Sequence, residues 1–108
     1  MPTGRLGVAN ITTTADTTVY TVPGSTFAVV SVSVCNRAAT SCTINIALAA
    51  TGTPGADEYL EYGASLLAAG VVERTGIVMD ASKRIVVTSQ TATPTLSVVV
   101  YGIETSTS

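Results

Sequence analysis

The sequence predicts an all-β protein folded as a single β-sandwich, jelly-roll or immunoglobulin-like, with about seven to nine short, mostly antiparallel strands. Three observations carry this. Apolar and polar residues alternate at a period of two over several segments, the spacing of a strand with one buried face. Those segments are rich in Val, Ile and Thr, whose branched Cβ suits a pleated surface. Turn residues recur every ~8–12 positions. Only Ala64–Ala69 has helical composition, and it lies between Gly63 and Gly70, too short to hold a helix alone.

Thr17–Val22 alternates and stops at Pro23-Gly24, a strand followed by a turn dipeptide. Phe27–Asn36 is the strongest strand signal, with Val30, Val32 and Val34 on one face and Ser31 and Ser33 on the other. Cys42–Ala50 repeats the pattern, Ile44, Ile46 and Leu48 inward and Thr43 and Asn45 outward, and breaks at the TGTPG run from Thr51 to Gly55. These two strands are expected to form a hairpin around residues 36–41. Glu58–Tyr62 reads as a short strand, Gly63–Gly70 as a connection, and Val71–Met79 as a strand interrupted near Gly76. A charged turn, Asp80–Lys83, leads into a strand over Arg84–Ser89. In the last strand, Thr95–Glu104, Leu96, Val98 and Val100 face one way and Val99, Tyr101 and Ile103 the other. Apolar residues on both faces predict that this strand is covered twice, by the core and by a loop or a second molecule.

At 108 residues the chain fits one domain, 1–108, with extended ends at 1–7 and 105–108. No apolar leader and no run approaching a membrane span is visible, so a soluble compartment is expected. Seven acids and five bases are mixed along the chain, and the nearest approach to a basic stripe is Lys83-Arg84, which argues against nucleic acid as partner. Only 11% of residues are charged, against the ~25% usual for a soluble domain. The surface must therefore be largely Thr, Ser, Ala and Gly, which cost less to desolvate than Lys or Glu and suit a subunit packed against neighbours.

The chain has no His, so no Ser, Thr or Cys has an imidazole base, and Lys83 sits in the charged turn. No catalytic residue, cofactor or metal site is expected. Asp57, Glu58 and Glu61 form the one local group of acids, but strand phase sends Glu58 away from the other two, and no calcium-loop spacing is present. Phase also argues against a Cys35–Cys42 disulfide: Cys35 faces out when Val34 faces in, whereas Cys42 keeps step with Ile44. A bulge in the loop would be needed to bring them together. A sugar-binding module would need an exposed aromatic platform, and alternation sets Tyr59 and Tyr62 on opposite faces.

Four segments, LGVANITTTADTTVYTVPG from Leu6 to Gly24, VSVSVCNR from Val30 to Arg37, EYLEY from Glu58 to Tyr62 and ERTGIVM from Glu73 to Met79, resemble small β-sandwich structural proteins of tailed-bacteriophage virions. The likeness runs from about Leu6 to Glu104 and consists of strand patterns, with no motif that assigns a station on the particle. It implies a non-enzymatic late protein assembled in the host cytoplasm and carried on the virion. A capsid decoration (cement) role is favoured over a tail, neck or baseplate accessory, and a host-surface or carbohydrate-binding module comes third. The implied partners are the chain itself, as a dimer or trimer, and the major capsid protein or a tail component. The candidate interface is Val99, Tyr101 and Ile103 of the two-faced strand, with Glu73 and Arg74 placed to orient a partner.

Overall fold

A computed structural model describes residues 3–91 and 94–106. It contains β1 (Thr3–Ile11), β2 (Thr17–Thr21), β3 (Thr26–Asn36), β4 (Cys42–Ala49), β5 (Tyr59–Leu66), β6 (Val71–Met79), β7 (Arg84–Ser89) and β8 (Leu96–Ser106). One sheet, A, has the order β1-β8-β3-β6 and the other, B, the order β2-β7-β4-β5. Every pairing is antiparallel. Two four-stranded sheets in this order, eight strands alternating between the layers except at β4–β5, are the jelly-roll arrangement. Of the extended ends expected at 1–7 and 105–108, Thr3–Gly7 belongs to β1 and Thr105–Ser106 to β8. Met1, Pro2, Thr107 and Ser108 lie outside the described residues.

The core is the set that alternation picks out. Val30, Val32 and Val34 of β3 and Leu96, Val98 and Val100 of β8 face Ile44 and Ile46 of β4 and Ile85 and Val87 of β7, all buried. The interruption expected near Gly76 is a bulge in β6, where register slips between the pairs Val30–Ile77 and Val32–Arg74 and Gly76 takes φ 68°. β5 runs on to Leu66, through the segment expected to be a connection. Thr43 opposes Ser65, Ile44 opposes Ala64, and Leu66 is buried, so pairing with β4 overrides the weak strand propensity of the alanines.

The hairpin expected around residues 36–41 does not form. β3 lies in sheet A between β8 and β6, β4 lies in sheet B between β7 and β5, and residues 37–41 cross from one layer to the other. Five residues reach about 16 Å, enough to span the ~10 Å between packed sheets, so the connector suits a crossing as well as a turn. Cys35 and Cys42 thus sit in different sheets and are free, Cys35 half-buried and Cys42 in the core.

Asn36 holds the crossing. It is fully buried, its Nδ2 donates to Thr40 O at 2.9 Å, Leu67 O at 3.2 Å and Leu66 O at 3.3 Å, and its Oδ1 accepts from Ala38 N at 3.0 Å. It ties the β3–β4 connection to the β5–β6 connection. Asn36→Ala should cost about 2–3 kcal/mol, since three carbonyls and an amide lose a partner away from water. Urea denaturation would show it as a lowered midpoint at unchanged slope.

A second buried polar contact joins the layers. Tyr20 of β2 donates its hydroxyl to Glu104 Oε2 of β8, with both residues buried. Burial holds the Tyr20 phenol above its usual pKa, and the hydrogen bond and charge of Glu104 push it further the same way. A raised folded-state pKa contributes stability that is complete below the unfolded value, about 10, and is lost as pH rises through the folded value. The protein should therefore weaken progressively above about pH 10, and Tyr20→Phe should remove that share of the slope. The same variant should lose about 1–3 kcal/mol at neutral pH, because Glu104 stays buried without its donor. Denaturation midpoints at neutral and alkaline pH test both.

Candidate functional site: a bare sheet face and an aromatic cleft

The two outer faces of the sandwich are finished differently. On sheet B the small residues Ala47 and Ala49 of β4 and Val86 of β7 lie outward yet are buried, packed with Tyr59 beneath the β4–β5 connection. That connection is pinned by Glu58, whose carboxylate accepts from Gly55 N at 2.8 Å and Ala50 N at 3.1 Å. Those two backbone donors hold the Glu58 carboxyl below its usual pKa. Gly52 lies beside Thr18 and Arg84, so the loop reaches across the sheet toward β2 and β7.

Among the described residues, sheet A leaves large apolar side chains exposed on its outer face. Antiparallel register sets Ile103 of β8 against Val29 of β3, and Val29 against Val78 of β6. This is an apolar row across three strands, with Val78 67% and Ile103 45% exposed. In a second row Val8 of β1, 52% exposed, opposes Val99 of β8, and Val99 opposes Ser33. Between them Tyr101 opposes Ser31 and Arg5. Tyr101 donates its hydroxyl to Glu73 Oε2, which raises the phenol's pKa. The face is thus apolar at both ends and carries a tied polar pair in the middle.

Val99, Tyr101, Ile103 and Glu73 therefore share one surface. Arg74 leaves it: adjacent to Glu73 on a strand, it points the other way and pairs with Glu61 of β5 at 3.0 Å. That pair bridges the last strands of the two sheets, closing the sandwich edge, and as a partly exposed ion pair contributes only ~0–1 kcal/mol. β8 is covered on its inner face only, since Ile103 remains exposed on the outer one. Four strands ~4.8 Å apart and eight residues long at ~3.3 Å each give a face of about 500 Å² in projection. Its exposed apolar side chains, Val8, Val78 and Ile103, stand at the two ends of that area.

Tyr59 and Tyr62 do not lie apart. Their ring centroids are 4.9 Å apart and the rings nearly perpendicular, at 74°. The reason is a bulge in β5. Ile46 pairs with Glu61 and Ala47 with Tyr59, so two steps on β5 match one on β4 between the two tyrosines; a second slip, between the pairs Ile44–Ala64 and Ile46–Glu61, follows near Gly63, whose φ is 68°. The extra residue resets the alternation that would have separated the tyrosines. Together with Pro54 and Ala56 they line an open cleft of about 420 Å³.

Among the described residues no group of three or more His, Cys, Asp or Glu side chains is placed to hold a metal ion. Asp57, Glu58 and Glu61 diverge: Glu58 binds the loop backbone, Glu61 binds Arg74, and Asp57 is exposed. Asp80 and Lys83 pair across their turn at 3.3 Å. Comparison with protein-family models, with curated proteins and with solved structures gives no match.

Proposed function

We propose that this chain is a non-enzymatic structural subunit of a tailed-phage virion, a capsid decoration protein that attaches to the assembled shell through the outer face of sheet A. The observation that carries the reading is the asymmetry of the two faces: sheet B carries the β4–β5 loop over Ala47, Ala49 and Val86, whereas sheet A leaves Val8, Val78 and Ile103 exposed and Val99 half-buried. Apolar side chains gathered in the open on one sheet face favour a partner that covers them. The strand-pattern resemblance described above supplies the particle. A jelly roll is compatible with a capsid protein, though by fold analogy alone.

Size argues for repetition. A standard interface buries ~800 Å² per partner, and about 500 Å² in projection falls short of it, so one contact would be weak. Many copies on a lattice, each joined to others as a dimer or trimer, turn weak contacts into firm attachment. Binding only the assembled shell would stabilise that state by mass action. The tail, neck or baseplate alternative uses the same face.

Cryo-electron microscopy of purified particles containing this chain tests the proposal. Copies at three-fold or quasi-three-fold positions over the capsid lattice support decoration. Copies confined to neck, tail or baseplate replace it with the accessory reading, and a chain that copurifies but occupies no ordered position on the particle overturns both.

A further inference from the structure

We propose that the cleft formed by Pro54, Ala56, Tyr59 and Tyr62 binds a neutral saccharide. This site lies at the β5 edge of sheet B and does not depend on the docking face of sheet A.

The cleft is built before any ligand arrives. The β5 bulge sets both rings on one side, and the Glu58 carboxylate, held by the Gly55 and Ala50 amides, fixes the loop that brings Pro54 and Ala56 to the opposite wall. A preformed wall spares the ordering cost that a mobile loop would impose on binding. Its volume of about 420 Å³ falls in the small-molecule range of ~300–1,000 Å³.

The lining has the two components that sugar recognition needs. One is a flat apolar surface: Tyr62 is 71% exposed, an aromatic left in water beside a proline and an alanine. The C–H face of a pyranose ring is apolar and carries partial positive charge, which suits the negative face of an aromatic ring. The other is a set of uncommitted polar groups. Tyr20 and Tyr101 each donate a hydroxyl to a carboxylate, whereas Tyr59 and Tyr62 have no hydrogen-bond partner among the described residues. Asp57, outside the lining itself but next to Ala56 in the chain, is exposed and likewise without a partner among the described residues. Phenol hydroxyls donate and accept, and a carboxylate accepts twice, matching the donors and acceptors of sugar hydroxyls.

Charge narrows the ligand class. The ionised groups that flank the cleft in the chain are acids, Asp57, Glu58 and Glu61; of the cations around this loop, Arg74 is engaged by Glu61 and Lys83 by Asp80, and Arg84 lies against Gly52 at the far end of the loop. A sulfated or carboxylated sugar would meet the Asp57 carboxylate with no cation lining the cleft, so a neutral sugar is favoured. A quaternary ammonium needs several ring faces converging on one point. A T-shaped pair spends one ring face on its own contact, which leaves a stacking surface rather than a cage.

The test uses the full chain. It has no Trp, so its emission comes from four tyrosines, two of which line this cleft. Maltotriose, cellotriose and tri-N-acetylchitotriose would be titrated by tyrosine fluorescence and by saturation-transfer NMR, with choline and a decaproline peptide as competing probes. At least one trisaccharide should bind with a Kd on the order of 1 mM. Tyr62→Ala should weaken it by at least about tenfold, a loss of roughly 1.4 kcal/mol, at unchanged melting temperature. Tyr101→Phe, on the opposite sheet, should bind as the parent does. No trisaccharide bound up to about 10 mM, binding indifferent to Tyr62→Ala, or choline or decaproline preferred over every sugar would each overturn the proposal.

Discussion

Val78→Asp combined with Ile103→Asp is expected to leave the sandwich folded and to abolish attachment to assembled particles. Both side chains stand on the bare face of sheet A, 67% and 45% exposed, so neither substitution buries a charge in the monomer. In a closed contact the outcome reverses, because each carboxylate would be desolvated against an apolar partner surface without a counter-charge. An unpaired buried charge in an interface costs about 2–5 kcal/mol, so affinity should fall by more than about 100-fold. Co-sedimentation with particles lacking the protein would measure the loss, and circular dichroism would check the fold. Attachment at parental strength would exclude this face as the contact. Tyr62→Ala, on the other sheet, serves as the matched control. Tyr101→Asp is a poorer probe, since it would lose the bond to Glu73 and set a second carboxylate beside it.

Gly102→Ala should be the most damaging single-methyl change in the molecule. Gly102 sits inside β8 opposite Val30, with φ 155°. A Cβ there would overlap the Val29 carbonyl oxygen and lie 2.8 Å from Val30 Cα. The obstruction is backbone of the central neighbouring strand, which cannot rotate away as a side chain would. Overpacking of this kind costs about 3 kcal/mol or more, a large share of the ~5–15 kcal/mol that holds a small domain together. Gly24→Ala adds the same methyl at a turn where nothing lies within 4 Å and should be nearly neutral. Urea midpoints of the two variants measure the difference, and equal values would mean that β3 and β8 can separate locally at no cost.

Local alternation was enough to identify the strands that make the core. Val30, Val32 and Val34, then Ile44 and Ile46, are buried as their period requires, and the phase difference that argued against a Cys35–Cys42 bond corresponds to two free thiols in separate sheets. Reading failed where the answer lay in a partner strand. β1 carries little alternation of its own, and β8 defines it by pairing from Thr3 to Ile11. The 36–41 connector looked like a hairpin because a short polar link between two good strands fits a turn and a crossing equally well. Tyr59 and Tyr62 share a side because the register slips between Tyr59 and Glu61, a shift set by pairing with β4 that alternation along β5 does not signal.

The buried polar pairs were equally invisible. Nothing near Tyr20 in the sequence points to Glu104, and nothing near Asn36 points to the carbonyls of Leu66 and Leu67. The candidate surfaces divide in the same way. That Val99, Tyr101 and Ile103 share a face was legible from a period of two. That this face stays bare while the equivalent face of sheet B is roofed depends on where the β4–β5 loop folds back.

The sequence by itself determined that this protein is all-β, that one face of each main strand is buried, and which side chains of β3, β4 and β8 turn toward the core. These properties follow from the two-residue repeat of a strand, which is local. Only the tertiary structure decided which strands share a sheet, where the bulges fall, and which outer face is left open. Those depend on hydrogen-bond partners far away in the chain, and inserting one residue into a paired strand changes the face of every side chain beyond it.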